Sequence, residues 1–133
     1  IIGDEYGMDI LNDLEGNFVH ASFRKKLSMR AGETDKAITF FEEELWNLAI
    51  SLSKVFRHIG NIDIDFIKEN DTDKIFIIDI NPRFGGGYPF THLSGYNYIE
   101  SIINMILKKD FSIKKFKKSI KASKGIKVFS MGT

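Results

Sequence analysis

The sequence predicts an α+β fold, an antiparallel sheet built from two β-hairpins with helices packed on one face. Three observations predict it. Two pairs of strand-like runs are each joined by a short polar turn, a long run between them carries apolar residues at three- and four-residue spacing, and no repeat or low-complexity linker divides the 133 residues. At that length, with 43% hydrophobic residues, the chain is long enough for one modest core and too short for two ordinary domains.

The first hairpin is read from Glu5 to Asn12 and Asn17 to Leu27, around the turn cluster Asp13-Leu14-Glu15-Gly16. Val19, Ala21 and Phe23 show the strand alternation. Ser28 to Lys36 is polar and contains glycine, so it reads as a loop before a helix N-capped by Thr34, with Asp35 in its first turn. From Asp35 to His58, Ile38, Phe41, Leu45, Leu48, Leu52, Val55 and Phe56 form one apolar stripe, and Gly60 ends the helix. Glu42, Glu43 and Glu44 are then its solvent face. Asn61 to Lys68 and Lys74 to Asn81 form the second hairpin around Glu69 to Asp73. Pro82 to Pro89 reads as a glycine-rich loop that admits close approach of another group. A second helix is expected from Tyr98 to Lys108, and a last strand at Ile126 to Met131.

No run approaches the ~20 apolar residues of a membrane span, and the N-terminus has no signal-peptide layout. With no cysteine, disulfides and thiolate metal sites are excluded, which suits a reducing cytoplasm. Ile1-Ile2-Gly3 begins in mid-pattern without an initiator methionine, and reads as a piece of something larger or a processed end. The net charge of +1 conceals a basic tail, because residues 108–133 carry nine lysines against Asp110 alone. Lys114, Lys115, Lys117, Lys118 and Lys121 lack the arginines and aromatics that read bases, so nucleic acid is not the expected partner, and a solvated face is the plain reading. His20, His58 and His92 are dispersed and have no ligand spacing.

The chemistry concentrates on the second hairpin. If it is symmetric about Thr72, Asp65 faces Asp79 and Asp63 faces Asn81, and two opposed carboxylates repel unless something offsets them. A divalent cation does so, and the all-oxygen set Asp65, Asp79 and Asn81 suits magnesium or manganese. Asp79 and Asn81, two apart in the run Ile75 to Asn81, emerge on one face, and Arg83 continues that direction. The plainer alternative is an exposed acidic strand face with Asn81-Pro82 starting a turn.

The segment Ile78-Asp79-Ile80-Asn81-Pro82-Arg83-Phe84-Gly85-Gly86-Gly87 resembles the metal-binding segment of ATP-grasp enzymes, usually Glu-x-Asn-Pro-Arg after a hydrophobic strand. Asn61 to Phe66 resembles the strand carrying the other metal-side residue. Gly3-Asp4-Glu5-Tyr6-Gly7-Met8-Asp9 resembles the strand after the adenine hinge, and Arg30-Ala31-Gly32-Glu33 a loop near the phosphates. The carbamoyl-phosphate synthase large subunit is the nearest relative by this reading, residues 1–107 being the C-terminal half of an ATP-grasp domain and 108–133 a basic extension of the same unit.

The resemblance implies that Asp65, Asp79 and Asn81 hold magnesium on ATP, that Arg83 sits by the transferred phosphoryl group, that Ile67 and Ile78 lie near the adenine, and that Arg24 and Arg30 contact phosphate. It implies an ATP-dependent ligase that activates a carboxylate or bicarbonate as an acyl phosphate for attack by an amine. Asp79 in place of the usual Glu shortens one arm. The lysines and hinge residues of the family's N-terminal subdomain are missing, so residues 1–133 alone are expected to be inactive without the remainder of a parent chain. A binding or structural module, its lysine tail meeting an anionic partner, is the competing expectation.

Overall fold

The computed structural model describes residues 1–132. Strands β1 (Gly3–Asn12), β2 (Phe18–Arg30), β3 (Glu33–Phe40), β4 (Gly60–Glu69), β5 (Ile75–Asn81) and β6 (Lys121–Ser123) form one sheet in the order β5-β4-β1-β2-β3-β6. Every neighbouring pair is antiparallel. Helices α1 (Glu43–Phe56), α2 (Tyr88–Leu93) and α3 (Tyr98–Ile106) complete it. The α+β class expected from the sequence is thus the one observed.

Both expected hairpins are present. The β1–β2 turn is fastened by Asp13, whose carboxylate accepts from the Asn17 and Glu15 backbone N–H groups at 2.8 and 3.0 Å. Alternation along β1 sends Met8 and Ile10 to one face, where they pack with Phe23, Ile62, Ile64 and Phe66 beneath Leu45 and Ala49 of α1. Asp9 and Leu11 point to the opposite face. There Leu11 meets Tyr88, Tyr96 and Tyr98, so α2 and α3 cover the face that α1 does not. Helices thus lie on both faces rather than on the one expected, because apolar spacing tells which stripe of a helix is buried but not which face of the sheet receives it.

The expected helix start at Thr34–Asp35 is replaced by β3. Ala31 and Gly32 take φ values of 50° and 78°, and this two-residue turn with both central residues at positive φ folds Glu33–Phe40 back onto β2. Ile38 and Phe41 happen to fit the helical stripe, but pairing with β2 on one edge and β6 on the other decides the outcome, and the helix begins only at Glu43. Its end is Arg57 in the left-handed region, whose N–H donates to the Ser53 carbonyl; Gly60 opens β4 instead. The stretch Pro82–Pro89, expected as loop throughout, enters α2 at Tyr88, with Pro89 in the first turn, where a missing N–H is tolerated. The last strand is not at Ile126–Met131, which is irregular and exposed, but at Lys121–Ser123 against β3.

The basic segment is therefore tied to the sheet. The Thr39 N–H donates to the Ile120 carbonyl at 2.9 Å, and the Ile120 N–H donates to the Thr39 hydroxyl at 3.0 Å. His20 anchors the segment further upstream. Its Nε2 donates to the carbonyls of Lys114 and Lys115, both at 3.1 Å, which leaves Nδ1 to accept the Tyr98 hydroxyl at 2.6 Å.

Burial pushes the His20 pKa down to about 4, so the neutral ring belongs to the fold. Below the ordinary value of 6.5 the unfolded chain binds a proton that the native one refuses, and stability falls as pH falls through the window from 6.5 to about 4. Urea unfolding at pH 7 and pH 4.5 is expected to show about 2–3 kcal/mol lost to this group. His20→Gln removes that pH dependence; an unchanged slope in the variant refutes the assignment.

Candidate functional site

The sheet face covered by α2 carries two cross-strand rows of polar residues. One runs Asn81, Asp63, Asp9, Ser22, and the next runs Asp79, Asp65, Gly7, Arg24, Thr39, each residue opposite its neighbour in the ladder. Asp65 does face Asp79, as the sequence predicts, but the route differs. Nearer the turn Phe66 pairs with Ile77 rather than Ile78, and a bulge between Asp65 and Phe66 restores the expected partners at the site.

Gly7 explains how side chains from β2 reach β4. Strands two apart in a sheet are about 9–10 Å apart, and the absent side chain on the intervening β1 leaves the path open. A Cβ on Gly7 would lie 2.8 Å from the Arg24 guanidinium. Arg24 crosses there, donating from Nη1 to Asp9 Oδ2 at 2.6 Å and from Nη2 to Asp63 Oδ1 at 2.5 Å. Lys26, on the same face of β2, reaches Asp65 Oδ1 at 2.9 Å and Glu5 at 3.6 Å.

Arg24, Asp9 and Asp63 are all buried. Asp9 also accepts from the Thr91 hydroxyl at 2.6 Å and from the Asn61 amide at 3.1 Å, so this one carboxylate joins β2, β4 and α2 to β1. Burial alone disfavours a charged guanidinium, yet Asp9 and Asp63 more than restore it and raise the Arg24 pKa. For Asp63, burial, with Asp9 and Asp65 nearby, raises the pKa against the pull of Arg24. Two buried carboxylates on one guanidinium leave the cluster a net negative floor.

Above this floor lies a cavity of about 520 Å³, bordered by Asp63, Asp65, Asp79, Asn81 and Arg83, by Lys26 and Glu33, and by the loop Gly85–Gly87. The loop is glycine-rich because it lies directly on the ion pair. A Cβ on Gly85 would fall 1.9 Å from Asp63 Oδ2, and one on Gly87 2.0 Å from Arg24 Nε.

Five of the residues singled out in the sequence, Asp65, Asp79, Asn81, Arg83 and Arg24, border this one cavity. Arg83 is exposed and reaches within 4.0 Å of Asp63 Oδ2, and Asn81 donates to Asp79 Oδ2 at 2.8 Å. Arg30 is not brought in. It pairs with Asp35 at 3.2 Å, beside Lys124. Ile67 lies two residues beyond Asp65 on the same face of β4, and Ile78, at the bulge, is 53% exposed; neither borders the cavity. Sequence reasoning missed Lys26, Asp9 and Thr91. The alternation Ser22, Arg24, Lys26 along β2 was the signal for Lys26; Thr91 had none.

Among the described residues, no three acidic, histidine or cysteine side chains gather closely enough to chelate a metal unaided. The donors present are two opposed carboxylates and an amide, all oxygen. This fits a hard cation that completes its shell with water and phosphate oxygens, and does not fit zinc.

Over residues 1–131 the chain matches the family described as ATP-grasp in the biosynthetic pathway with Ter operon, and it belongs to that ATP-grasp family. Among solved structures it is similar to the biotin carboxylase domain of Hydrogenobacter thermophilus 2-oxoglutarate carboxylase, solved with MgADP, ADP and bicarbonate. That likeness has a TM-score of 0.69 at 15% identity and covers 87% of this chain and 28% of that one. It is also similar to Rhizobium etli pyruvate carboxylase (TM-score 0.66, 19% identity, 78% of this chain and 10% of that one). A third likeness is to N5-carboxyaminoimidazole synthetase from Staphylococcus aureus (TM-score 0.60, 13% identity, 86% and 32%). At these identities the likeness is one of fold, and the chain spans between a tenth and a third of the length of these three. A search of curated proteins found no match. Among the described residues no helix is long and apolar enough to cross a membrane.

Proposed function

We propose that this chain supplies the metal-binding side of the nucleotide cleft in an ATP-dependent carboxylate ligase. The observation that carries the reading is the opposition of Asp65 and Asp79 across the β4–β5 ladder, with Asn81 and Arg83 beside them on one cavity, in a chain of the ATP-grasp family. Asp65, Asp79 and Asn81 would hold magnesium, or manganese in its place, which supplies charge neutralisation for the ATP phosphates. Arg83, exposed and flanked by the acidic face, would bind the transferred phosphoryl group. Arg24 is held by Asp9 and Asp63, so its role is to shape the floor rather than to take up phosphate freely.

The reaction is transfer of the ATP γ-phosphoryl group to a carboxylate oxygen, giving ADP and an acyl phosphate. An amine then attacks the acyl carbon and phosphate leaves. Positioning and charge do most of this work, which is consistent with a cavity border that carries no serine, cysteine or histidine among the described residues. Bicarbonate is the first acid to test, because it is bound in the Hydrogenobacter structure and because the motif resembles that of carbamoyl-phosphate synthase. Residues 108–133 belong to the same unit in this reading, and the adenine side of the cleft, with the activity, requires the remainder of the parent protein.

The test is a magnesium titration with and without ATP on the full-length protein and its Asp79→Ala and Asn81→Ala variants. Metal-dependent ATP binding lost in both supports the ligase reading. Binding unchanged in both, or none in the intact protein, removes it in favour of a binding or structural module.

A further inference from the structure

Lys26 is a charged residue of the cavity to which the family motif gives no role. Its side chain is only 6% exposed, and a lysine that deep in a fold is retained only when paired. Its partner is Asp65, at 2.9 Å from Oδ1, with Glu5 at 3.6 Å. Asp65 is thereby the one carboxylate of the opposed pair that already has a cation, while Asp79 has two neutral donors, the Asn81 amide and the Ile80 backbone N–H. Without a cation on Asp65, two carboxylates would face each other across the ladder with nothing between them.

We propose that Lys26 is the built-in counter-ion of the metal site: its ammonium neutralises Asp65 when no divalent cation is bound, and is displaced from Asp65 when one binds. The inference rests on the ligase reading, in which Asp65 is a metal ligand. An ammonium and a divalent cation repel at ligand distance, so Asp65 serves one or the other at full strength. Once released, Lys26 stays in the cavity wall and keeps Glu5 as its carboxylate partner. It is a positioning residue that keeps the empty site folded and sets a threshold for metal binding without nucleotide.

This predicts an effect opposite in sign to that of losing a structural lysine. In the full-length protein, Mn2+ binding without nucleotide, read by electron paramagnetic resonance, is expected to tighten by at least about tenfold in Lys26→Met. Lys26→Arg, which keeps the charge, should bind as wild type, and Asp79→Ala should bind no Mn2+. On the unmodified protein, Mg2+ alone should raise the rate at which acetic anhydride labels Lys26, measured by mass spectrometry; this stands even if Lys26→Met fails to fold. Unchanged or weaker Mn2+ binding in Lys26→Met, with Asp79→Ala still abolishing it, overturns the counter-ion role and leaves the metal ligands standing. A labelling rate that does not respond to Mg2+ overturns it as well. Mn2+ binding that survives Asp79→Ala unchanged overturns the ligase reading and this inference together.

Discussion

Replacing Arg24 by methionine is expected to destabilise the fold by about 3–5 kcal/mol, the cost of leaving buried carboxylates without their partner. Methionine retains most of the side-chain length, so the loss reports charge rather than a cavity. Asp9 keeps Thr91 and Asn61 as donors, but Asp63 loses its short contact and has only the distant, exposed Arg83 left. The deficit should depend on pH with a definite sign. Burial already raises the Asp63 pKa with Arg24 present, and removing the guanidinium raises it further. The folded variant therefore binds protons that the unfolded chain releases, and its stability falls as pH rises above the ordinary carboxylate range. Urea unfolding from pH 4 to pH 7 checks this. A gap from wild type that is small at pH 7, or that narrows as pH rises, contradicts the assignment of Arg24 as the neutralising group.

Burial of this kind was only partly legible in the sequence. The β4–β5 hairpin and its acidic row were readable because strand period and a short polar turn are local signals; that period puts Asp79 and Asn81 on one face, while Arg83, beyond the end of β5, was carried by the resemblance of the motif. The partners of those residues were not. Asp9 reads as one acid in an alternating strand, and Arg24 as one of three consecutive bases; only the sheet order β4-β1-β2, with Gly7 between, brings them together. Sheet order is a long-range property, and the register of one hairpin carries no information on which strand lies beside it. Strand β3 failed for a related reason. The positive φ values at Ala31 and Gly32 mark a hairpin turn, but Ala31 is a poor signal for that conformation and the sequence around it looks like a polar loop. Of the residues proposed by family resemblance, Arg30 was drawn by its place in the loop, and the fold pairs it with Asp35 instead.

The glycine loop gives the second large effect. Gly87 has φ −82°, an angle open to any residue, so its identity is set by space and not by backbone conformation. A methyl group there would lie 2.0 Å from Arg24 Nε and 2.1 Å from Cζ. Gly87→Ala must therefore push either the loop off the sheet or the guanidinium off Asp9 and Asp63. With both ends of Arg24 held at 2.5–2.6 Å, the expected cost is about 3–5 kcal/mol, that of a broken buried pair rather than of simple overpacking. The two losses share one cause, so they should not add. In an Arg24→Ala background the guanidinium is gone and the methyl group has room, and Gly87→Ala is expected to cost under about 1 kcal/mol there, leaving a coupling of about 2–4 kcal/mol in the cycle. Additive costs, measured by urea unfolding of all four proteins, would show that the loop is not seated on Arg24. A strong coupling means that the loop leading out of the Asp79–Asn81–Arg83 segment is positioned by the buried Arg24 cluster, and that mutations in that cluster reach the site through the loop.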